Sequence, residues 1–331
     1  MYKIFLLLGF LLVISATSHA QAKTGRFEKW DAALDAIIDS TAKLEVIAEG
    51  FDWSEGPIWI EKQQMLLFSD VPKNIIYKWT EAKGKEIYLT PSGYTGTIPR
   101  GGEIGSNGLT LNKAGQLAIC QHGNRQIAFM NAPLTAPKPV FVVLTNNYKG
   151  KKFNSPNDLV FNNKGELFFT DPPYGLEKNM DDPLKELPFQ GIFKRKKNGQ
   201  VVLLTDSISR PNGLAISPDG KTLIIANSDP AKPYWYAFDL TAGNRLSRPR
   251  IFYDASTAAK TEPGMPDGLK IDTKGNVYAT GPGGVWIFDK YGVLLGKIKF
   301  DALTSNCVLS ADEKTIYITA DMYVLRVKLR K

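Results

Sequence analysis

Ser54-Glu55-Gly56-Pro57, Ser106-Asn107-Gly108-Leu109, Pro156-Asn157-Asp158-Leu159, Pro211-Asn212-Gly213-Leu214, Pro266-Asp267-Gly268-Leu269 and Ser305-Asn306-Cys307-Val308 are six versions of one phrase. Each sets a carboxylate or carboxamide just ahead of an apolar run. They recur at intervals of roughly 40 to 55 residues, the period of a repeated supersecondary unit. The phase is also kept inside the unit. Eight residues beyond Asn107, Asn157, Asn212 and Asp267 stand Gly115, Gly165, Gly220 and Gly275, each followed by a β-rich run such as Leu117-Ala118-Ile119 or Leu167-Phe168-Phe169. Val, Ile, Phe and Tyr between Gly, Asp and Asn turns signal strands, and no long helical period intervenes.

Repeats of this kind fit the blades of a β-propeller, whose radial closure leaves few sheet edges open. The expectation is an all-β fold, a six-bladed β-propeller over 44–331, with blades near 52–90, 103–145, 154–205, 210–254, 265–299 and 303–330. The last blade is short of a strand, which Leu44 to Ala48 would supply from the other end of the chain. Before it, 21–43 reads as a helical extension. Trp30, Leu34, Ile37 and Ile38 share one helical face, which predicts a short N-terminal helix packed outside the ring. Residues 1–20 carry Lys3, an apolar run from Ile4 to Ile14, and Ser18-His19-Ala20, the pattern of a secretory signal peptide cleaved after Ala20. The apolar run is shorter than the roughly 20 residues of a membrane span. A secreted or periplasmic protein with no membrane span after cleavage is expected.

Composition narrows the chemistry. The formal charge of +8 is scattered, with no stripe of basic and aromatic residues, which argues against a nucleic-acid partner. Cys120 and Cys307 fall in the second and sixth units, which are not neighbours, so two buried free thiols are expected. His19 belongs to the signal and leaves His122 as the one remaining histidine, which excludes a zinc site built on several imidazoles. Oxygen donors are abundant, and Asp, Glu and Asn suit a hard divalent cation: calcium, with magnesium as the alternative.

In a propeller, equivalent residues at the heads of the innermost strands meet around one end of the central channel. Glu55, Asn107, Asn157, Asn212, Asp267 and Asn306 are therefore expected as a ring, with Glu55 and Asp267 neutralising the ion. Taken singly, an Asn or Asp beside Gly or Pro is an ordinary turn residue. Glutamate has no turn preference, so Glu55 in this column favours ligation. The second strands return to the same face, which puts Asp70, His122, Asp171, Asn227 and Asp321 near the mouth, as strand-end caps or as polar contacts. The segments from Pro91 to Gly105 and from Pro172 to Gln190 are long enough to wall the channel, with Tyr94, Arg100, Tyr174 and Phe189 as candidate sugar contacts. No Gly-x-Ser-x-Gly elbow is present.

Five phrases, in chain order, carry a resemblance: Glu55-Gly56-Pro57-Ile58-Trp59, Asn154-Ser155-Pro156-Asn157-Asp158-Leu159-Val160, Phe169-Thr170-Asp171-Pro172-Pro173-Tyr174-Gly175, Arg210-Pro211-Asn212-Gly213-Leu214-Ala215 and Pro266-Asp267-Gly268-Leu269. Together they resemble the gluconolactonase, regucalcin (senescence marker protein) and luciferin-regenerating enzyme family. The stretch around Asp171 and Tyr174, with His122, looks like its bacterial sugar-lactonase branch. The resemblance implies one divalent cation in the channel, usually calcium, with magnesium or zinc also accepted. It implies Glu55, Asn212 and Asp267 as metal ligands, with Asn157 completing the shell or touching substrate. Asn107, Asn157, Asp171 and Tyr174 are the candidate substrate-binding residues. The animal members carry Arg where Ser155 stands here, so their substrate contacts do not transfer. The implied reaction is calcium-dependent opening of a sugar lactone to the aldonic acid, with Asp267 as catalytic base and His122 as the alternative. Hydrolysis of another ester or a phosphotriester at the same metal site, and a non-catalytic ligand-binding propeller, remain as other readings.

Overall fold

The second strand of each unit is a continuous apolar run because both of its faces are covered. In the computed structural model, which describes residues 25–241 and 245–330, Met65–Asp70, Leu167–Asp171 and Val277–Gly281 are buried along their whole length. Alternate residues serve opposite neighbours, as the two-residue period of a strand requires. Leu67 packs with Leu109 and Ile119 of the following unit, whereas Leu66 and Phe68 pack with Tyr317 and Val324 of the last. The same division recurs around the molecule. The apolar interior consists of six wedge-shaped clusters, each shared by two adjacent sheets.

Those sheets are the six expected blades. Their innermost strands are Ser54–Ile60, Ser106–Leu111, Leu159–Phe161, Pro211–Ile216, Leu269–Ile271 and Thr304–Leu309. Each innermost strand touches those of the blades on either side, and the sixth touches the first, so the ring closes. Closure uses both ends of the chain: Leu44–Glu49 pairs antiparallel with Tyr323–Lys328 as the outer strand of the sixth blade. This satisfies an edge that would otherwise be free to pair with another chain. Among the described residues no helix is long and apolar enough to cross a membrane. The expected signal peptide, 1–20, lies outside the described residues.

The N-terminal extension departs from the expectation. In place of a helix, Arg26–Lys29 forms a fifth strand on the fifth blade, with Arg26 opposite Lys299, and only one 3-10 turn follows, Ala32–Ala36. Leu34, Ile37 and Ile38 are buried as the helical period implied, docking on the wedge between blades five and six. One turn is enough to place them. Trp30 leaves the face and stays half exposed, edge-on to Trp286 at 5.9 Å. The Lys297 ammonium lies 3.8 Å from the Trp286 ring centroid and 5.7 Å from that of Trp30, while bonded to Glu262. Backbone pairing and a buried cation beside two aromatic rings hold this segment more firmly than helix propensity would.

The Asn-Gly and Asp-Gly pairs of the column, Asn107-Gly108, Asn212-Gly213 and Asp267-Gly268, are not hairpin turns, unlike Asn198-Gly199 and Asp219-Gly220, which join paired strands. The column pairs lie at the heads of the inner strands, and in four blades the ladder register slips there, between Glu55 and Ile58, Ser106 and Leu109, Pro211 and Leu214, and Thr304 and Asn306, whereas Asn157 and Asp267 precede inner strands whose pairing is regular. A bulge bends a strand and re-aims its side chains, which turns the acceptors of the bulged heads toward the axis. The glycine after the acceptor is then a steric requirement. A Cβ at Gly56, whose φ is +54°, would fall 2.0 Å from Asn107 O, and one at Gly213 would fall 2.4 Å from Asp267 O. Hydroxyls, all but that of Ser228 fully buried, fasten the same level from blade to blade. Ser69 Oγ donates to Asn107 O at 2.8 Å, Thr170 Oγ1 to Asn212 O at 2.7 Å, Ser228 Oγ to Pro266 O at 2.7 Å, Thr280 Oγ1 to Ser305 O at 2.8 Å and Ser305 Oγ to Ser54 O at 2.6 Å. Thr170→Val removes one of these bonds and strands a buried carbonyl. It is expected to lower the unfolding free energy by about 1–3 kcal/mol, measured by denaturant titration, while far-UV circular dichroism stays that of the parent.

Candidate active site in the channel mouth

Strand heads, three of them bulged, and blade-to-blade bonds bring five of the six column residues to one cavity. Glu55, Asn107, Asn157, Asn212 and Asp267 all line a space of about 400 Å³ at one end of the channel. Asn306, the sixth, stands behind it: its Nδ2 donates to Glu55 Oε2 at 3.1 Å and its Oδ1 accepts from Cys307 N at 2.9 Å. It orients Glu55 without reaching the cavity. Asn212 Nδ2 donates to Ser228 Oγ at 3.0 Å, which turns its carbonyl oxygen away from that bond.

The electrostatics of the cavity are those of crowded carboxylates. Burial pushes the Glu55 carboxyl up to about 7, against the hydrogen bond from Gly56 N. Burial likewise lifts Asp267 well above the usual carboxylate range, and the charges of Glu55, Glu103 and Asp158 push in the same direction. Asn107 Oδ1, Asn157 Oδ1 and Asp267 Oδ1 are buried without a hydrogen-bond partner among the described residues. Stranded acceptors and two adjoining carboxyls are costly unless a donor or cation meets them. The donor set fits a hard divalent ion of carboxylate and carboxamide ligation. Among the described residues no group of three or more His, Cys, Asp and Glu side chains is arranged to hold a metal. Carboxamide oxygens would therefore have to share the coordination.

The two long segments form walls, though through partly different residues from those expected. Tyr174 lines the cavity, bonded to Ser228 and lifted above the ordinary phenol range by burial. Glu103, at the end of the first segment, lines it too, as do Trp53, Arg210 and Met265. None of those four stood out in the sequence, because none belongs to the repeated column. Arg100 does not reach the cavity. Its guanidinium donates to Gly123 O at 2.8 Å and Gly175 O at 2.5 Å, tying the two walls together. Tyr94 donates to Ile98 O, and Phe189 packs into the wedge between blades two and three.

Asp171 and His122 also lie outside the lining. Asp171 is fully buried and accepts from Asn154 N at 2.8 Å and Ser155 N at 2.9 Å, bracing the approach to the third inner strand. Burial lifts its carboxyl to about 7 against those two donors. Asp70 braces Asp52 and Trp53 in the same way, and Asn227 braces Arg210. Ladder pairing puts Gln121 in this column, opposite Ser106 as Asp70 is opposite Ser54. His122 comes one residue later. It is buried behind Glu103, with Nδ1 3.4 Å from Glu103 Oε2. Cys120 and Cys307 are free and buried, as expected.

A larger cleft of about 490 Å³ opens between Ser217 and Lys290, but its ionisable residues, Asp219, Arg250, Lys274 and Lys290, are all exposed. The channel mouth sets a pair of carboxyls, Glu55 and Asp267, against unpartnered carboxamide oxygens in one cavity.

Comparison with known proteins agrees with this geometry. Residues 53–321 match the family model described as the SMP-30/Gluconolactonase/LRE-like region. The chain is 40% identical to a gluconolactonase of Zymomonas mobilis over 92% of its own length and 86% of the relative's. Among solved structures it is similar to a gluconolactonase of Xanthomonas campestris, with 28% identity and a TM-score of 0.78 over 92% of this chain and 94% of the other. The fold is also that of a luciferin-regenerating enzyme, with 18% identity and a TM-score of 0.69 over 87% and 95% of the two chains. The chain therefore belongs to the SMP-30/gluconolactonase/LRE-like family of six-bladed propellers.

Proposed function

We propose that this protein is a hydrolase that opens a sugar lactone to the aldonic acid at the channel mouth, with a divalent cation, calcium foremost, held by Glu55, Asn157, Asn212 and Asp267. The gluconolactonase relatives support lactone hydrolysis as the reaction class. The observation that carries the site is the meeting of two buried carboxyls with unpartnered carboxamide oxygens in one cavity. The leader-like run at 1–20 supports a secreted or periplasmic setting.

A divalent cation at such a site supplies positive charge for the oxyanion that develops on an attacked carbonyl, and acidifies water. The chain's own groups do the rest. Asn306 and Gly56 hold Glu55 in one rotamer through its Oε2. Asp267 Oδ1, buried and unpartnered, is the acceptor placed to take a proton from the attacking water. Water oxygen adds to the carbonyl carbon, the ring C–O bond breaks, and the departing ring oxygen is protonated as the aldonic acid forms. Tyr174, Trp53 and Met265 enclose the lactone ring and displace water around it.

Two outcomes follow from these roles. Asp267→Ala should lower kcat for lactone hydrolysis roughly a hundredfold to ten-thousandfold, followed with a pH indicator on glucono-, galactono- and arabinono-lactones. Retention of parental activity would remove Asp267 from the chemistry. Stripping divalent ions should abolish turnover, and returning calcium should restore it. The same addition should raise the unfolding free energy by about 2.7 kcal/mol at a hundredfold excess over Kd, read by thermal denaturation. A stripped protein whose activity and melting both ignore added calcium, magnesium and zinc would sink the metal assignment.

A further inference from the structure

We propose that Glu103 is the specificity residue of this cavity, accepting hydrogen bonds from the ring hydroxyls of a neutral polyhydroxylated lactone, and that His122 positions it. This deepens the lactonase reading and rests on it. Glu103 is the third carboxylate in the lining, beyond the two, Glu55 and Asp267, that balance a divalent charge. Its side chain is 35% exposed, so it remains hydrated in the open cavity and is free to exchange water for ligand. A carboxylate only accepts hydrogen bonds. An occupant of the space beside it completes it best with O–H or N–H donors. Trp53, Met265 and Leu303 line the same cavity and suit the C–H face of a ring. Hydroxyls on one side and apolar surface on the other describe a sugar ring.

Glu103 is also preorganised, which is what a recognition group on a loop needs. Asn74 clamps the start of its segment: Oδ1 accepts from Ser92 N, Gly93 N and Tyr94 N at 3.1, 2.7 and 3.1 Å, and Nδ2 donates to Tyr94 O at 2.8 Å. Arg100 then ties the segment to Gly123 O and to Gly175 O beside Tyr174. Behind the carboxylate, the His122 ring is wholly buried, and Gly175 packs so closely that a Cβ there would fall 2.7 Å from His122 Cβ. Neither ring nitrogen has a hydrogen-bond partner among the described residues, and Nδ1 faces Glu103 Oε2 at 3.4 Å. The imidazole thus backs the carboxylate from outside the cavity lining, and an Nδ1–H on this approach would hold the carboxylate toward it.

The test compares the full chain with Glu103→Gln, Glu103→Ala and His122→Gln on D-glucono-1,5-lactone and on δ-valerolactone, which has the ring and carbonyl but no hydroxyls. Inhibition by xylitol, a neutral polyol, is measured in parallel. For Glu103→Ala, KM for gluconolactone and the inhibition constant of xylitol should rise roughly tenfold or more, as loss of a charge-assisted hydrogen bond implies. The loss in kcat/KM should be confined to the hydroxylated lactone, with Glu103→Gln and His122→Gln moving the same parameters in the same direction. The inference is overturned if kcat falls equally on both lactones, if no parameter changes, or if xylitol fails to inhibit the parent protein. Xylitol binding that responds to Glu103→Ala in a protein that opens no lactone would instead overturn the lactonase reading and leave the polyol site standing.

Discussion

Five hydroxyls, the buried ones of Ser69, Thr170, Thr280 and Ser305 and the half-buried one of Ser228, bond across blade boundaries to the main chain at the level of the acceptor column. A sixth tie, Gly108 N to Asn157 O at 2.8 Å, closes the one interval without a hydroxyl. These bonds hold inner strands of different blades at fixed separation, so Glu55 and Asp267, distant in sequence, meet in one cavity. Apolar wedges supply the bulk of the attraction between blades, but wedge packing is non-directional. The hydrogen bonds set the register.

That register has a chemical price in acceptors left without donors. The heads of the inner strands turn carboxyls and carboxamides toward the axis, where main-chain donors are already used in ladders. Asn107, Asn157 and Asp267 therefore keep unpartnered oxygens, while Glu55 is steadied by Asn306 from behind. Stranded acceptors at a channel mouth are tolerated where a ligand completes them. The walls follow a different logic. Tyr174 and Glu103 arrive on long connections, and Arg100 bonds to main-chain carbonyls on both sides to hold them together. A rigid ring supplies the acceptors, and two cross-tied loops supply what contacts the rest of a ligand.

Much of this was legible before any coordinates. Repetition exposes the ring residues, because a glutamate at the position of five Asn or Asp residues has no local explanation. Strand closure by Leu44–Glu49 was readable from a blade one strand short. The mouth residues were harder. Asp171 and His122 lie at nearly the same distance from their column residues, yet the ladder makes Asp171 a strand-end brace and leaves His122 one position beyond. The spacing to the strand-end position varies by one residue among the units, since Gln121 and Asp171 stand 14 beyond Asn107 and Asn157 whereas Asp70 and Asn227 stand 15 beyond Glu55 and Asn212, and only the ladder shows which residue is equivalent. The N-terminal segment failed for a related reason. Leu34, Ile37 and Ile38 have helical spacing, but one 3-10 turn satisfies it, and the backbone before them finds a strand to pair with.

The sequence by itself determined the number of blades, the closing strand and the identity of the acceptor column, since those depend on period and residue type along the chain. Only the tertiary structure decided that Glu103 and Tyr174 share a cavity with Glu55 and Asp267, that Arg100 binds the walls together and that His122 stands behind a carboxylate. Loops carry no period, and their side chains are placed by contacts between distant segments. Such contacts exist only once the ring has closed.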